Sequence, residues 1–531
     1  MQVKDFLDDP TGRGRGGRNH PSYDNSILAT VAPEYSIGEV LLGSAYRGLL
    51  FMRAEGDVDL EKIDELPDIF PNDLGGPDLW RTLLKQEQGG LASPVRGGQK
   101  TIRLPQLMPL VPQIAYHACV LGRVRSRWNP WNLLLHVIGG GLGETKGKEL
   151  VKRMGESLRV DEDDDTFARF VALAFNPSTK QLLAYPYLSI GLTGEQLRAF
   201  RGTANIASAR SPAERFCMDL EAILLLKNRL TRRQWTVLLE AILRVGLGAH
   251  VLWVCYVNTV CWRFVLSVTS GNALPSEIEI EASLWQSHRD TNSFLEFGHN
   301  ADLLIRRLLE KYVLARFGLN LLFCLLEDAG HPWPLGQAVG YSRTGGKSAP
   351  SAIKLFLEHV SNNRAILDAA SMSKGGTGVS QWLCATCAML LEEHSLLAKC
   401  QSGFTSNILE FTRYSLGQVE TEDPEKKSYD QAYLLANLAG GRRRKSLWVT
   451  QPGPAMLISL VHACCYAQGD IPATTEDFRS HLADYGLRVP TGELAKGQVG
   501  TDLENLGLVI DSPDAAGGRL LVDPFYVSND R

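Results

Sequence analysis

Apolar positions are densest between Ser211 and Val265, where they recur at helical spacing. The stretch opens on Ser211-Pro-Ala-Glu214: a hydroxyl that can cap backbone amides, a proline suited to a first helical turn and a capping-box glutamate. Phe216, Leu220, Ile223 and Leu224 then share one face. Thr231 and Gln234 repeat the capping box, and Trp235, Leu238, Leu239 and Ile242 follow at i, i+3, i+4 and i+7. From Leu247 to Val265 the sequence is apolar on all sides, the pattern of a helix surrounded by other helices. Three successive helices are therefore expected to form the core. The 18 residues between Arg244 and Arg263 approach the length of a membrane span, but Gly246, Gly248, His250 and Asn258 interrupt them, which favours a buried helix over a lipid-facing one.

Elsewhere the pattern is less regular. Residues 1–34 include the glycine- and arginine-rich run 11–24 and read as a flexible arm. Residues 35–205 begin with apolar runs punctuated by Pro67, Pro71, Gly75, Gly76 and Pro77, as in a loop-rich mixed domain. Residues 206–440 form the helical core, and 447–531 a final module that begins after the turn Arg442-Arg-Arg-Lys445 and the breaker Pro452-Gly-Pro454. The expected fold class is mainly α and multidomain.

The composition is that of an ordinary globular chain: 531 residues, 44% hydrophobic and 21% charged. A net charge of −4 imposes no partner, and no membrane association is expected. The start, Met-Gln-Val-Lys-Asp-Phe-Leu, lacks the basic and apolar runs of a secretory signal, so the ten cysteines are read as reduced thiols of a cytoplasmic protein. Cys217, Cys255 and Cys324 fall within apolar helical patterns, where they act as small hydrophobes.

Charge becomes informative locally. Between Arg96 and Arg159, eleven Lys or Arg stand against three Glu and no Asp. Within that stretch Arg123, Arg125 and Arg127 alternate just before Trp128 and Trp131. Cations that follow a phosphate backbone beside rings that stack on unpaired bases suit a nucleic-acid surface. A solvated basic face paired with the acidic run Asp161–Asp165 is the competing reading.

Motifs for other chemistries fail on spacing. The glycine-rich loop His136–Lys148 has Leu142 where a phosphate loop needs glycine and Glu149 where it needs Ser or Thr; the second loop, Gly340–Ser348, is one residue too long. Asp161, Asp163 and Asp165 mimic a calcium loop, but Thr166 and Ala172 occupy its glycine and glutamate positions, so the aspartates are expected to cap a helix near Thr166. Cys384, Cys387, His394 and Cys400 could ligate zinc only if the helix expected over 379–399 breaks. Glu144-Thr-Lys146 has no aspartate close upstream to complete a nuclease site, and His288-Arg-Asp290 stands without the other kinase signatures. No cofactor or metal ion is expected.

At the C-terminus, helices are expected over 455–468, from Thr474 or Thr475 through Tyr485, and over 492–506; two short strands, 508–511 and 519–522, follow. Three helices and a hairpin in this order resemble a winged helix, over about 15% of the chain. Such domains often bind duplex DNA through the third helix. Here Glu493, Asp502 and Glu504 stand against Lys496 alone, which points to protein contact, with only Arg442, Arg443, Arg444 and Lys445 beside nucleic acid. The acidic module could also cover the basic stretch as an intramolecular gate. In general appearance the chain resembles large accessory proteins of prokaryotic phage-defence and DNA-modification systems. That resemblance implies a non-enzymatic adaptor or regulatory subunit that contacts nucleic acid through residues 96–159 and other protein subunits through the C-terminal module. The alternatives are an enzyme, such as a metal-dependent nuclease, and a protein-only scaffold.

Overall fold

A computed structural model describes residues 2–10, 41–50, 91–92, 105–106, 111–112, 130–169, 211–286, 294–333, 349–418, 430–438, 447–490, 492–511 and 518–525. Within them the protein is mainly helical, as the sequence pattern predicts. Everything is arranged around one helix, Arg232–Thr269. Helices Ala301–Asp328, Pro212–Leu224, Pro454–Gln468, Gly403–Leu416, Ala349–Asn362 and Leu41–Leu50 all pack on it.

The second and third expected segments are thus a single helix, uninterrupted at Gly246 and Gly248. These glycines admit neighbouring helices and do not end their own. A Cβ on Gly246 would lie 2.0 Å from Phe216 Cδ2, and one on Gly248 2.8 Å from Leu416. The caps form as expected: Ser211 Oγ accepts the Ala213 N–H at 3.3 Å, and Thr231 and Gln234 complete a capping box. Trp235 Nε1 donates to the Ile223 carbonyl at 2.9 Å, joining the two helices inside the core. The central helix is long and apolar enough to cross a membrane, yet 94% of its most apolar window is buried by protein. Its polar groups have partners there: Asn258 Nδ2 donates to the Val254 carbonyl, and Arg244 lies between Glu240 and Asp430.

Three further expectations change. Gly139–Gly147 is not a loop; it belongs to helix Pro130–Leu158, which kinks at Gly143 (φ 74), a conformation that glycine adopts without a Cβ clash. The helix expected over 379–399 ends at Glu393 and resumes for one turn at Ser395–Ala398, with His394 between. The last expected helix divides at Gly497 into Glu493–Lys496 and Gln498–Asn505.

One apolar cluster extends from Val3 and Phe6 to Leu521, so the C-terminal module shares its core with the helices before it. Helix Pro454–Gln468 buries Met456, Leu457, Leu460, Val461 and Cys464. The junction is closed by a patchwork of short extended segments. Leu435–Asn437 pairs antiparallel with Trp448–Thr450; Thr450 bridges Phe297; and Leu295–Glu296 runs parallel to Leu487–Arg488. Val509–Ile510 and Leu520–Leu521 form the expected antiparallel pair, and Leu520 also bridges Thr474, just before helix Thr475–Asp484.

Candidate nucleic-acid interface

Of the cations that the sequence singles out, Arg442–Lys445 lie in sequence between two described strands. Trp448–Thr450 is rich in β-forming residues, and it pairs with Leu435–Asn437, across a connection that opens on a glycine pair, in the register Leu435↔Thr450, Ala436↔Val449, Asn437↔Trp448. Leu438 N–H extends the ladder by donating to the Leu447 carbonyl at 3.0 Å. The residues that connect the strands, Ala439–Ser446, lie outside the described residues, and they contain the four cations.

The base of this hairpin is held firmly. Leu434 and Leu435 are fully buried, Leu434 N–H donates to the Leu416 carbonyl, and Gln418 N–H donates to the Leu435 carbonyl. Just before the first strand, Asp430 accepts from Arg244 Nη1 at 2.8 Å, while Arg244 Nε donates to Glu240 at 2.8 Å. Glu240 also accepts the Leu41 and Leu42 N–H groups, capping helix Leu41–Leu50. Burial opposes the charge on Arg244, but Asp430 and Glu240 outweigh it and hold its pKa above the ordinary value; burial raises that of Glu240.

The basic stretch 96–159 presents a different picture. Arg123, Arg125, Arg127 and Trp128 lie outside the described residues. Trp131 is 2% exposed within helix Pro130–Leu158, so its ring belongs to the core and is not available for base stacking, a correction to the sequence reading. Further along, Lys148 pairs with Glu144, Lys152 with Glu156 and Arg153 with Glu221, so local acids offset much of the charge on this helix. Glu144 is thus one partner of an i,i+4 ion pair.

The acidic run 161–165 turns toward two other cations. Asp161 and Asp164 engage Lys227, Asp164 binds the buried Arg232, and Asp165 accepts the Arg232 N–H at 2.7 Å. Asp165 also accepts from Ala168 N–H, which makes it the expected cap of the turn at Thr166. Among the described residues no group of His, Cys, Asp and Glu could hold a metal ion; Cys384 is exposed while Cys387 is buried.

Two polar arrangements were not anticipated from the sequence. Asp219 accepts from Tyr485 Oη at 2.7 Å and meets His481 Nε2 at 2.8 Å, while Arg215 grips Asp484 through Nε and Nη2. His462 Nδ1 meets Asp523 at 2.8 Å with Phe525 against its ring. Asp219, His481 and Tyr485 are sealed from solvent while Arg215 is half-buried, and burial, ahead of the neighbouring Asp219, keeps Tyr485 in its protonated, donating form. The available signal was an aspartate on an otherwise apolar helix face, between Phe216 and Ile223.

Comparison with known protein families, curated proteins and solved structures finds no match to this chain.

Proposed function

We propose that the chain is a non-enzymatic adaptor or regulatory subunit of a nucleic-acid-associated system, with prokaryotic antiviral defence as its setting. In this reading nucleic acid meets the cations carried between Leu438 and Leu447, joined by Arg123, Arg125, Arg127 and Trp128, and Trp131 takes no part. The observation that carries it is that the run Arg442-Arg-Arg-Lys445 falls in sequence between two strands, 435–437 and 448–450, that pair antiparallel. Four adjacent cations with no acid among them suit a phosphate backbone.

The C-terminal module is read as a winged helix that contacts protein. The backbone supports this: the chain just before helix Thr475–Asp484 pairs with the last strand, which pairs in turn with Val509–Ile510. Gln498, Thr501, Glu504 and Asn505 form the exposed side of its last helix, which offers no lysine or arginine to phosphate, and Glu504 there pairs with Arg519 at 2.6 Å. The test is binding of labelled single-stranded and duplex DNA and RNA to the intact chain at two salt concentrations. Four phosphate contacts imply a loss of about 50–150-fold between 50 and 200 mM salt. Replacing Arg442–Lys445 by serine should flatten that dependence. No salt-sensitive binding to any of these nucleic acids rejects the reading and leaves a protein-only scaffold.

A further inference from the structure

Two neighbouring helices, Arg364–Met372 and Val379–Glu393, turn apolar side chains to solvent. They pack on each other and on helix Ala301–Asp328, so their outward faces lie on the side away from it. The outward stripe of Val379–Glu393 is Gln381, Cys384, Ala385, Ala388 and Met389, all exposed and none charged. Helix Arg364–Met372 likewise exposes Ala365, Ile366, Ala369 and Met372 on one face. Ile366, Met389 and Met372 are 40%, 47% and 56% exposed. The outer face of a surface helix ordinarily carries its charged residues, and large apolar side chains clustered there mark a contact surface.

The charges at the two ends of this face say what covers it. Helix Val379–Glu393 has no acid in its first turn and no base in its last, where Glu392 and Glu393 are exposed. Both glutamates stand at the negative end of their own helix dipole. At the positive end Asp368, balanced by Arg364 at 3.7 Å, accepts the Val379 N–H, and the Ser380 and Gln381 N–H groups of the same turn lie outside the helix ladder. A second copy related by a two-fold axis at residue 386, the helix midpoint, runs antiparallel and sets its Glu392 beside residue 380 of the first. Each copy's acids then meet the other's positive helix end, and Ala385 and Ala388 let the two helices approach closely. A lipid surface would call for basic residues at the rim, where these acids stand. We propose that this face is the contact between two copies of the chain, packed antiparallel through helix Val379–Glu393 with Arg364–Met372 at its flank.

Helices of 9 and 15 residues cover less than a standard interface, so the dimer should be weak, with a Kd on the order of tens of micromolar. The test is sedimentation velocity of the intact chain from about 1 to about 200 µM, a range that brackets such a Kd. Monomer should give way to dimer as concentration rises. Ala388→Glu buries a charge in the contact and should weaken the dimer at least about tenfold, with the melting temperature unchanged in dilute solution. Glu392→Gln with Glu393→Gln should weaken it about threefold or more, although the same change relieves the helix dipole and raises the melting temperature of the dilute monomer. In the unaltered chain at high concentration a short bismaleimide should join the two copies through Cys384, since a rise of 1.5 Å per residue puts these residues about 6 Å apart along the helix axes. Cys384→Ser should abolish that product; in dilute solution Cys384 stays open to alkylation. A monomer throughout, a dimer indifferent to Ala388→Glu, a dimer strengthened by the glutamine variant, or no product through Cys384 would each overturn the proposal.

Discussion

The Tyr485 hydroxyl donates to Asp219 Oδ2 at 2.7 Å, and with His481 on the same oxygen it ties the C-terminal module to helix Pro212–Leu224. All three side chains are buried, so the cost of disturbing them depends on what is left unpaired. Asp219→Ala strands both the hydroxyl and the imidazole and should destabilise by about 2–4 kcal/mol. Tyr485→Phe removes the donor and leaves Asp219 to His481, at about 1 kcal/mol. Hydrogen exchange over 475–490 checks this: protection should fall strongly in the first variant and slightly in the second. Equal losses would contradict a shared acceptor.

Arg244 poses the converse case, a cation buried between two carboxylates. Arg244→Met leaves Glu240 and Asp430 uncompensated and should cost about 3–5 kcal/mol. Combining it with Glu240→Gln and Asp430→Asn should recover part of that loss, because the unpaired charge is removed although a carboxamide at 240 can accept from only one of the Leu41 and Leu42 N–H groups. Thermal unfolding of the single and triple variants decides it; a triple variant as unstable as the single one argues that geometry, not charge, dominates.

Much of the helical architecture was legible because it obeys local rules. Ser211, Thr231 and Thr474 cap helices where their hydroxyls and spacing predict, and apolar periodicity marks the faces that are buried. Reading failed where a glycine has a tertiary cause. Gly246 looks like a breaker but exists to admit Phe216, while Gly143 and Gly497, in equally plain surroundings, do bend or divide a helix. Trp131 failed for a similar reason: in sequence its ring follows three arginines, and only packing shows that it points inward. The candidate interface was legible only as charge. That Arg442–Lys445 fall between two paired strands depends on a register that no local pattern contains.

The Gly246 contact carries its own test. Gly246→Ala puts a methyl into the Phe216 ring, so the central helix and Pro212–Leu224 must separate, at about 1–3 kcal/mol. Adding Phe216→Leu makes room and should restore part of the melting temperature, although Phe216→Leu alone lowers it. A purely additive double variant would show that the two residues do not limit each other's approach.

The shared core also bears on whether the acidic module acts as a gate. A chain ending before Leu447 would lose helix Pro454–Gln468 and uncover the face of the central helix on which it packs, near the Leu238 carbonyl that accepts from Ser459 Oγ. It should bind a hydrophobic dye and aggregate, so any gain in nucleic-acid binding after truncation would report exposed surface. Neutralising Asp502 and Glu504 as Asp502→Asn and Glu504→Gln in the intact chain is the sounder experiment, with Glu493 kept because it accepts the Val499 N–H at 3.1 Å. A covering role predicts that nucleic-acid affinity changes while the melting temperature stays within a few degrees.

Cysteine chemistry gives a prediction with a definite sign in pH. Among the described cysteines Cys384 is exposed, whereas burial pushes the Cys387 thiol, one helical turn away, up to about 12. At pH 8 a thiol at about 12 is ionised in about one molecule in ten thousand. Brief treatment with iodoacetamide should therefore label Cys384 and spare Cys387, Cys261 and Cys324, all of which burial raises to about 12. The same shifts act on stability. Below about pH 7 these thiols are protonated whether the chain is folded or not, and they contribute no pH dependence. As pH rises from about 8.5 toward 12, the unfolded chain releases protons that the folded chain retains, so the denaturation midpoint should fall between pH 8 and pH 10. Replacing Cys261, Cys324 and Cys387 together by alanine should flatten that slope, and an unchanged slope would assign it to groups other than these thiols.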